Sequence, residues 1–344
     1  MVQLTERASS ILKAVIKEYM RTGRPVGSKT IVNRYGIKLS SASVRNEMAK
    51  LTEMGFLSQP HISSGRKPTE LSLRYYLDNM LTIEELPEKK KEIVQSMYAN
   101  KSYDLRAVVM VSSKVLATLT NFAGVAWSPG IESFPLQHIE FIKLKENRIM
   151  AVMMSHANWV QTSVFDWNEY ISHEELSRAA DYLNEQFEGK TLLQVRDEIK
   201  EQMKNEKAEF DRLMAKTLKL MESALVPAEG HDQLFIHGGA NLVENPEFAD
   251  VEKMKAIFRA FEEKCFIVKL LSKTLTGEDY RVFLSSEENA PNLLPGLALI
   301  VAGFGDNKDL HGAMGVIGPV RMDYPSIIPL VKYTAQYASS LLTT

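Results

Sequence analysis

Three amphipathic segments, each ending at a glycine, fill the first 55 residues, and this pattern constrains the N-terminal fold more than any other feature of the chain. A helix is favoured where a capping residue precedes it and a residue that tolerates the left-handed conformation follows it. Thr5 and Gly23 fill these places for the first segment, and Ser28 and Gly36 fill them for the second. The first helix then has an apolar stripe at Ile11, Leu12, Val15, Ile16 and Tyr19.

The third segment is predicted to be a helix from Ser41 to Met54, which follows the short connector IKLS and stops before Gly55. A helix that packs on its neighbours needs an apolar stripe on one side. That inward stripe consists of Val44, Met48 and Leu51.

The outward face of the third helix combines small side chains with polar ones. Ala42 and Ala49 allow a close approach to a DNA groove, and Arg45 and Asn46 can pair with base edges. Lys50 fits a DNA contact or an ordinary solvated charge. This face is typical of a recognition helix, and we expect its DNA contacts at Ser41, Ser43, Arg45, Asn46 and Lys50.

A hairpin is predicted after Gly55. The residues FL and SQPHISSGRKPT indicate a strand, a tight turn at Ser64 and Gly65, and a return strand ending at Pro68. Such a hairpin can reach a phosphate or the minor groove. We expect contacts at His61, Ser64, Arg66 and Lys67, the last two mainly with the DNA backbone, although His61 fits a simple turn residue equally well.

Charge is divided unevenly along the chain. Residues 1–80 hold 13 Lys and Arg against 6 Asp and Glu, whereas the remainder holds 28 against 37. A basic N-terminal part joined to an acidic remainder indicates that the basic part meets a polyanion. Three helices and a hairpin also occur in modules that bind protein, but the charge excess, the small outward residues and the basic hairpin together favour DNA.

The rest of the chain predicts a mixed α+β fold with more than one domain. The charged stretch at 83–101 is the expected linker, and its lysines at 89–91 fit the solvated face of a helix. IEFIKL, RIMAVMM and WVQTSVFDW predict an antiparallel meander, followed by a long amphipathic helix from about Glu198 to Ala224. Strands in LFIHGG, YRVFLS, ALIVAGF and AMGVIG and a closing helix after Asp323 complete the pattern.

Sequence motifs of enzymes are absent. The seven histidines are dispersed, and no HExxH, CxxC or nucleophile elbow occurs. HGGAN at 237–241 and GVIGP at 315–319 match neither a phosphate-binding loop nor a dinucleotide fingerprint, and we expect turns there. We therefore expect a protein that is not an enzyme, with no catalytic residue, metal or cofactor. No long apolar stretch and no signal segment occurs, so we expect a cytoplasmic protein without membrane contact.

Several long runs resemble the family of HrcA repressors. Near the N-terminus they are LTERASSILKAVIKEYMRTGRPVGSKTIVNRYGI, SSASVRNEMAKLTEMGFL and PHISSGRKPT. Farther along they are LQHIEFIKL, IHGGANLVENPEFADVEKMKAIF and GAMGVIGPVRMDYPSIIPLVKYTAQ. The resemblance covers nearly the whole chain. One departure is SSGRKPT, which stands where the family usually has Ser-Ala-Gly-Arg-x-Pro-Thr, so that Ser64 replaces an alanine.

The resemblance implies a winged helix-turn-helix DNA-binding domain over 1–82, a linker over 83–101, a GAF-like domain over 102–134 and 228–344, and an inserted α/β dimerisation domain over 135–227. It also implies a homodimer that binds an inverted-repeat operator of double-stranded DNA at promoters of chaperone genes. The GroE chaperonin is the partner that keeps such a repressor active, so that heat shock relieves repression. The alternative is a regulator that senses a small molecule through the GAF-like domain.

Overall fold

We call residues 1–82 the head and residues 83–344 the body. The computed structural model describes residues 4–61, 64–99, 104–130, 135–145, 147–155, 160–191, 194–195, 197–199, 201, 212–225, 233–243, 248, 252, 254–255, 257, 264–273, 279–285, 293, 295–305 and 310–342.

Three helices form the bundle of the head, and their ends follow the glycine pattern of the sequence. They are α1 (Glu6–Thr22), α2 (Ser28–Tyr35) and α3 (Ser41–Glu53). The hydroxyl of Thr5 accepts a hydrogen bond from the Ala8 amide at 3.3 Å. Gly23 and Gly36 adopt the left-handed conformation after α1 and α2. These three predicted ends are therefore confirmed.

The prediction that Ser28 caps α2 is wrong. The cap is Gly27, and Ser28 is the first helical residue. Its side chain is buried, and its hydroxyl lies 2.9 Å from the hydroxyl of Ser41, the first residue of α3. Ser28 therefore joins the starts of two helices, a tertiary contact that helical periodicity does not reveal.

A short antiparallel hairpin follows α3 and confirms the predicted one. It consists of β1 (Leu57–Ser58) and β2 (Lys67–Pro68). Val26, which precedes α2, exchanges two backbone hydrogen bonds of 2.8 Å with Arg66 and so lies beside the hairpin like a third strand. A Cβ on Gly65 would overlap the carbonyl of Val26, which explains why glycine stands there.

The chain continues through three helices, α4 (Glu70–Asn79), α5 (Glu88–Tyr98) and α6 (Leu105–Thr120). α5 lies within the stretch expected to be a linker, and it is packed rather than extended. Val94 and Tyr98 are buried, and the Tyr98 hydroxyl lies 2.6 Å from the hydroxyl of Ser112 on α6. The expected linker thus contains a helix that packs on α6, while the domain boundary itself stays a prediction.

Strand β3 (Ala123–Ser128) follows, and the chain then forms a separate antiparallel sheet with the strand order β4-β5-β6. The strands of this sheet are β4 (Leu136–Lys145), β5 (Arg148–Ser155) and β6 (Val160–Asp166). Two helices follow them, α7 (His173–Phe187) and α8 (Arg212–Leu225). The predicted meander is confirmed, and the two helices pack on one of its faces. α8 covers the C-terminal part of the predicted long helix, whereas Met203 and Phe210 lie outside the described residues.

The main sheet of the body has five antiparallel strands in the order β7-β3-β10-β9-β8. The elements that complete it are β7 (Gln233–His237), α9 (Gly239–Val243), α10 (Lys264–Ser272), β8 (Arg281–Leu284), β9 (Leu297–Gly305), β10 (Leu310–Pro319) and α11 (Tyr324–Leu342). α6 and α11 pack on one face of this sheet. Residues of α9 and α10 join the apolar core on the other face. The mixed α+β class is confirmed.

The turn predicted at 315–319 is wrong, because these residues lie inside β10. A Cβ on Gly315 would overlap the carbonyl oxygen of Ile300 on the neighbouring strand, so this glycine serves close strand packing rather than a turn. The turn predicted at 237–241 is confirmed only at Gly238, which joins β7 to α9 in the left-handed conformation, because His237 ends β7 and Gly239 begins α9.

The head rests directly on the body, and one continuous apolar core runs through both. α4 makes the connection. Arg74 donates a hydrogen bond of 2.6 Å to the carbonyl of Val282 on β8, and Ser285 donates one of 2.8 Å to the carboxylate of Glu70. In the described part of the chain, no helix is both long and apolar enough to span a membrane.

Candidate nucleic-acid interface

Helix α3 buries one stripe and presents the opposite face to solvent. Val44, Met48 and Leu51 are at most 3% exposed and pack against α1 and α2. Arg45 and Asn46 are exposed, and neither forms a hydrogen bond or an ion pair with any described residue. Both side chains are therefore available to a ligand.

The serines at the start of α3 hold the helix in place. The hydroxyl of Ser40 accepts a hydrogen bond of 3.1 Å from the Ser43 amide and donates one of 3.0 Å to the Ser43 hydroxyl. The hydroxyl of Ser41 bonds to Ser28 on α2. Two of the expected DNA contacts, Ser41 and Ser43, thus already have partners within the head, which favours a positioning role for them.

Lys50 lies on the outward face, but a carboxylate accompanies it. Its ammonium is 3.2 Å from Glu47, which also lies 3.7 Å from the guanidinium of Arg7. Because the Lys50 side chain is 66% exposed, water weakens this pair and leaves the ammonium able to exchange partners.

The tip of the hairpin is closed by Ser64. Its hydroxyl accepts a hydrogen bond of 3.0 Å from the His61 amide and donates one of 2.7 Å to the His61 carbonyl. The imidazole of His61 is exposed beside this turn. The family that the sequence resembles usually has alanine at this position, and the additional hydroxyl of Ser64 stabilises the turn.

Lys67 on β2 and Arg66, the residue before it, point in different directions. The Nε of Arg66 donates a hydrogen bond of 3.1 Å to the hydroxyl of Thr52 on α3. The ammonium of Lys67 instead lies 5.6 Å from the centre of the Tyr19 ring on α1. The sequence groups these two cations at the hairpin, whereas the structure turns one toward α3 and the other toward α1.

A polar cleft separates the hairpin from α3. Its volume is about 530 Å³, and α3, the hairpin and the start of α2 form its walls. Among the expected contact residues, it brings together Arg45, Ser64 and Arg66 and leaves out Asn46 and Lys50, which lie on the outer face of α3. The described residues that line it are Val26, Gly27, Ser28, Arg45, Met48, Gln59, Ser64, Gly65 and Arg66.

A buried carboxylate that sequence reasoning missed fixes α2 against α1. The Glu18 side chain is 5% exposed and accepts hydrogen bonds from Arg21 at 2.8 Å, Arg34 at 3.0 Å and the Tyr35 hydroxyl at 3.1 Å. Burial, followed by the contact with Glu18, raises the pKa of Tyr35 to about 12. The available signal was a glutamate inside the apolar stripe of α1, between Ile16 and Tyr19.

Gln59 and Thr52 were also missed. Gln59 lines the cleft and Thr52 holds the guanidinium of Arg66, and both contacts join residues that are distant in sequence. Among the described residues, no group of three or more His, Cys, Asp and Glu is placed to hold a metal ion.

Comparison with known proteins gives consistent results for sequence and fold. A family model described as HrcA protein C terminal domain matches residues 106–328. The chain is 39% identical to the heat-inducible transcription repressor HrcA of Geobacter sulfurreducens over 342 residues, which is 99% of either chain. It is also 39% identical to the repressor of that name from Syntrophobacter fumaroxidans, covering 99% of this chain and 98% of the relative. The corresponding protein of Xanthomonas axonopodis is 33% identical over 332 residues.

A crystal structure described as that of a hypothetical protein has a similar fold. The two superpose with a TM-score of 0.61 over 99% of each chain, at 20% sequence identity. This similarity concerns the fold alone.

Proposed function

The chain belongs to the HrcA family of heat-inducible transcription repressors, and we propose that its head is the winged helix-turn-helix with which it binds operator DNA. The observation that carries this proposal is the exposed surface formed by α3 and the hairpin, where Arg45 and Asn46 have no partner among the described residues, on the part of the chain with the excess of positive charge. α2 and α3 form the helix-turn-helix, and the hairpin is the wing.

In this arrangement α3 enters the major groove. Asn46 is exposed on the outer face and has the two-sided amide that pairs with adenine. Lys50, one turn farther along α3, and His61, in the hairpin turn, are the proposed backbone contacts, and the serines of α3 hold the helix at the correct angle. Repression then follows from occupancy of a promoter, and no catalytic step is needed.

The body is proposed to contain a GAF-like domain with an insertion. The support is the strand order: β3 lies between β7 and β10, although about a hundred residues separate it from β7 in sequence. The chain therefore leaves the main sheet after β3 and returns at β7. We assign 102–134 and 228–344 to the GAF-like domain, 135–227 to the inserted domain and 83–101 to the connection with the head.

A homodimer is proposed to form through the inserted domain. α7 and α8 cover one face of the three-stranded sheet, while its other face carries apolar side chains exposed to solvent. Ile142 on β4 pairs in register with Met150 on β5, which pairs with Val164 on β6, so these side chains are neighbours on one face. Exposed apolar patches of this kind mark interaction surfaces. A two-fold dimer would match an inverted-repeat operator.

Heat responsiveness is proposed to come from dependence on the GroE chaperonin in the cytoplasm. The main sheet closes only when β7 to β10 have met β3 across the inserted domain, and such non-local pairing folds slowly and exposes apolar surface meanwhile. When unfolded proteins occupy the chaperonin after heat shock, the fraction of competent dimer falls, and repression at chaperone genes falls with it.

The chaperonin proposal has a direct test. The repressor is refolded with and without GroE and ATP, the operator is titrated, and the titration is repeated with an unfolded competitor. Chaperonin should raise the active fraction and the competitor should lower it, while the affinity of the active dimer stays constant. An active fraction that is the same with and without chaperonin refutes the proposal.

One observation favours a second candidate, a regulator that senses a small molecule. The indole N–H of Trp127 on β3 is buried and has no hydrogen-bond partner in the described structure. A ligand acceptor beside it would satisfy this group. Thermal shift with a panel of metabolites tests this candidate, and a ligand that changes operator affinity would support it.

The DNA-binding proposal is tested with Asn46→Ala in the full chain. The variant removes one base-edge contact and should lose about 1 to 3 kcal/mol of discrimination between the operator and random DNA. Asn79→Ala, at the end of α4 and away from α3, is the matched control and should bind like the unmodified protein. Equal weakening of Asn46→Ala on operator and random DNA would contradict base reading.

A further inference from the structure

We propose that Arg45 and Arg66 together hold one phosphate group of the operator backbone in the cleft between α3 and the hairpin, an inference that rests on the proposed DNA binding of the head. The two residues come from different elements, 21 positions apart, and line the same cleft of about 530 Å³. Its described lining contains no acidic residue.

The two guanidinium groups have spare donors. Arg66 uses its Nε to bond Thr52 and forms no other side-chain hydrogen bond within the described structure. Arg45 has no partner among the described residues. Two like charges that face one space without a carboxylate repel each other, and an anion between them removes that repulsion. The cleft therefore has a positive charge that favours an anion before any ligand binds.

A backbone phosphate is the anion that suits this cleft, because the surrounding surface faces a duplex in the proposed complex. The planar fork of a guanidinium matches two phosphate oxygens, and two such forks can hold one phosphodiester from opposite sides. The Arg66–Thr52 bond fixes one fork on α3, so the phosphate position sets the distance between the recognition helix and the DNA backbone.

The assignment divides the work between neighbouring residues of α3. Arg45 lines the cleft with Met48, whereas Asn46 is exposed on the outer face. Arg45 therefore grips the backbone, and Asn46 reads the base. From the sequence alone, both residues were expected to read bases.

The test uses the full-length protein and a duplex selected by it from a random pool. Single methylphosphonate groups, which are neutral, are placed at each backbone position in turn. On unmodified DNA, Arg45→Gln and Arg66→Gln should each weaken binding by about 10- to 100-fold, the range of a charge-assisted hydrogen bond. On DNA that carries the methylphosphonate at one particular backbone position of each half-site, both substitutions should weaken binding much less than they do on unmodified DNA.

Two controls separate charge from position. Lys67→Gln removes one charge from the same hairpin outside the cleft, and its effect should persist at the shared methylphosphonate position. Thr52→Val keeps both guanidinium groups and should weaken binding by no more than about threefold, which is half of a tenfold step on the logarithmic scale. If Thr52→Val weakens binding as much as Arg66→Gln does, Arg66 only holds the hairpin and the proposal is overturned.

Other outcomes also decide the matter. Two different methylphosphonate positions for Arg45 and Arg66, or none, would overturn the shared phosphate. A change of base preference at a single operator position in Arg45→Gln would return Arg45 to base reading. Failure of the unmodified protein to bind any duplex would instead refute the proposed function of the head.

Discussion

Replacement of Glu18 by glutamine should loosen helix α2 without unfolding the body. The Glu18 carboxylate is 5% exposed, while the side chains of Arg21 and Arg34 are 56% and 53% exposed. A fully buried pair costs about 3 to 5 kcal/mol to break, but these half-exposed cations can turn to water. The appropriate range is therefore that of hydrogen bonds to a charged group, about 1.5 to 3 kcal/mol.

Native-state hydrogen exchange on the full chain measures this loss where it occurs. A loss of about 2 kcal/mol reduces the protection of α2 amides about 30-fold, because each 1.4 kcal/mol is a factor of ten. The pKa of Tyr35 should also fall below its value of about 12 in Glu18→Gln, yet stay above 10.0, since burial is its largest cause and remains. Ultraviolet titration of tyrosinate measures that change.

The matched control is Glu88→Gln on α5. This glutamate pairs with Lys91 at 2.7 Å, but its side chain is 78% exposed. Exposed pairs contribute about 0 to 1 kcal/mol, so the α5 amides should lose at most a few-fold in protection. If the α2 amides of Glu18→Gln lose no more than the α5 amides of the control, the argument that burial strengthens the Glu18 contacts is refuted.

Three further predictions concern the hairpin, the dimer and alkaline pH. Gly65→Ala should weaken DNA binding in an anisotropy titration because a Cβ there overlaps the Val26 carbonyl, and an affinity equal to that of the unmodified protein would contradict this. Ile142→Glu should shift sedimentation toward the monomer, and Met110→Glu, a similarly exposed apolar residue on α6, should not; a dimer unaffected by Ile142→Glu contradicts the proposed interface. Because the pKa of Tyr35 is raised in the folded protein, the protonated Tyr35 hydroxyl stabilises the fold fully below pH 10. This contribution is lost as pH rises toward 12. The urea midpoint of the head should therefore fall over this range, and it should fall less in Tyr35→Phe; equal falls would contradict this.

Local features of the head were predictable from sequence because they depend on neighbouring residues. Helix ends at Thr5, Gly23 and Gly36 follow from backbone geometry, and the buried stripe of α3 follows from its period. The alternation of apolar residues likewise predicted the three strands of the meander.

Contacts between distant residues were not predictable in this way. Ser28 looks like a helix cap, but its partner is Ser41 across the turn. Arg66 and Lys67 are adjacent in sequence and diverge in space, because successive residues of a strand point to opposite sides. The glycines of 315–319 resemble a turn and instead permit close strand packing, which only the register of β9 and β10 reveals.

Selection of bound duplexes from a random pool by the full-length protein tests the central claim most directly. The account predicts enrichment of one inverted repeat, with half-sites whose centres are about 10 base pairs, or a multiple of that spacing, apart. The same pool with Asn46→Ala should lose preference at one position in each half-site. Enrichment of no sequence, or of a single unpaired site, would contradict a dimeric repressor that reads DNA through α3.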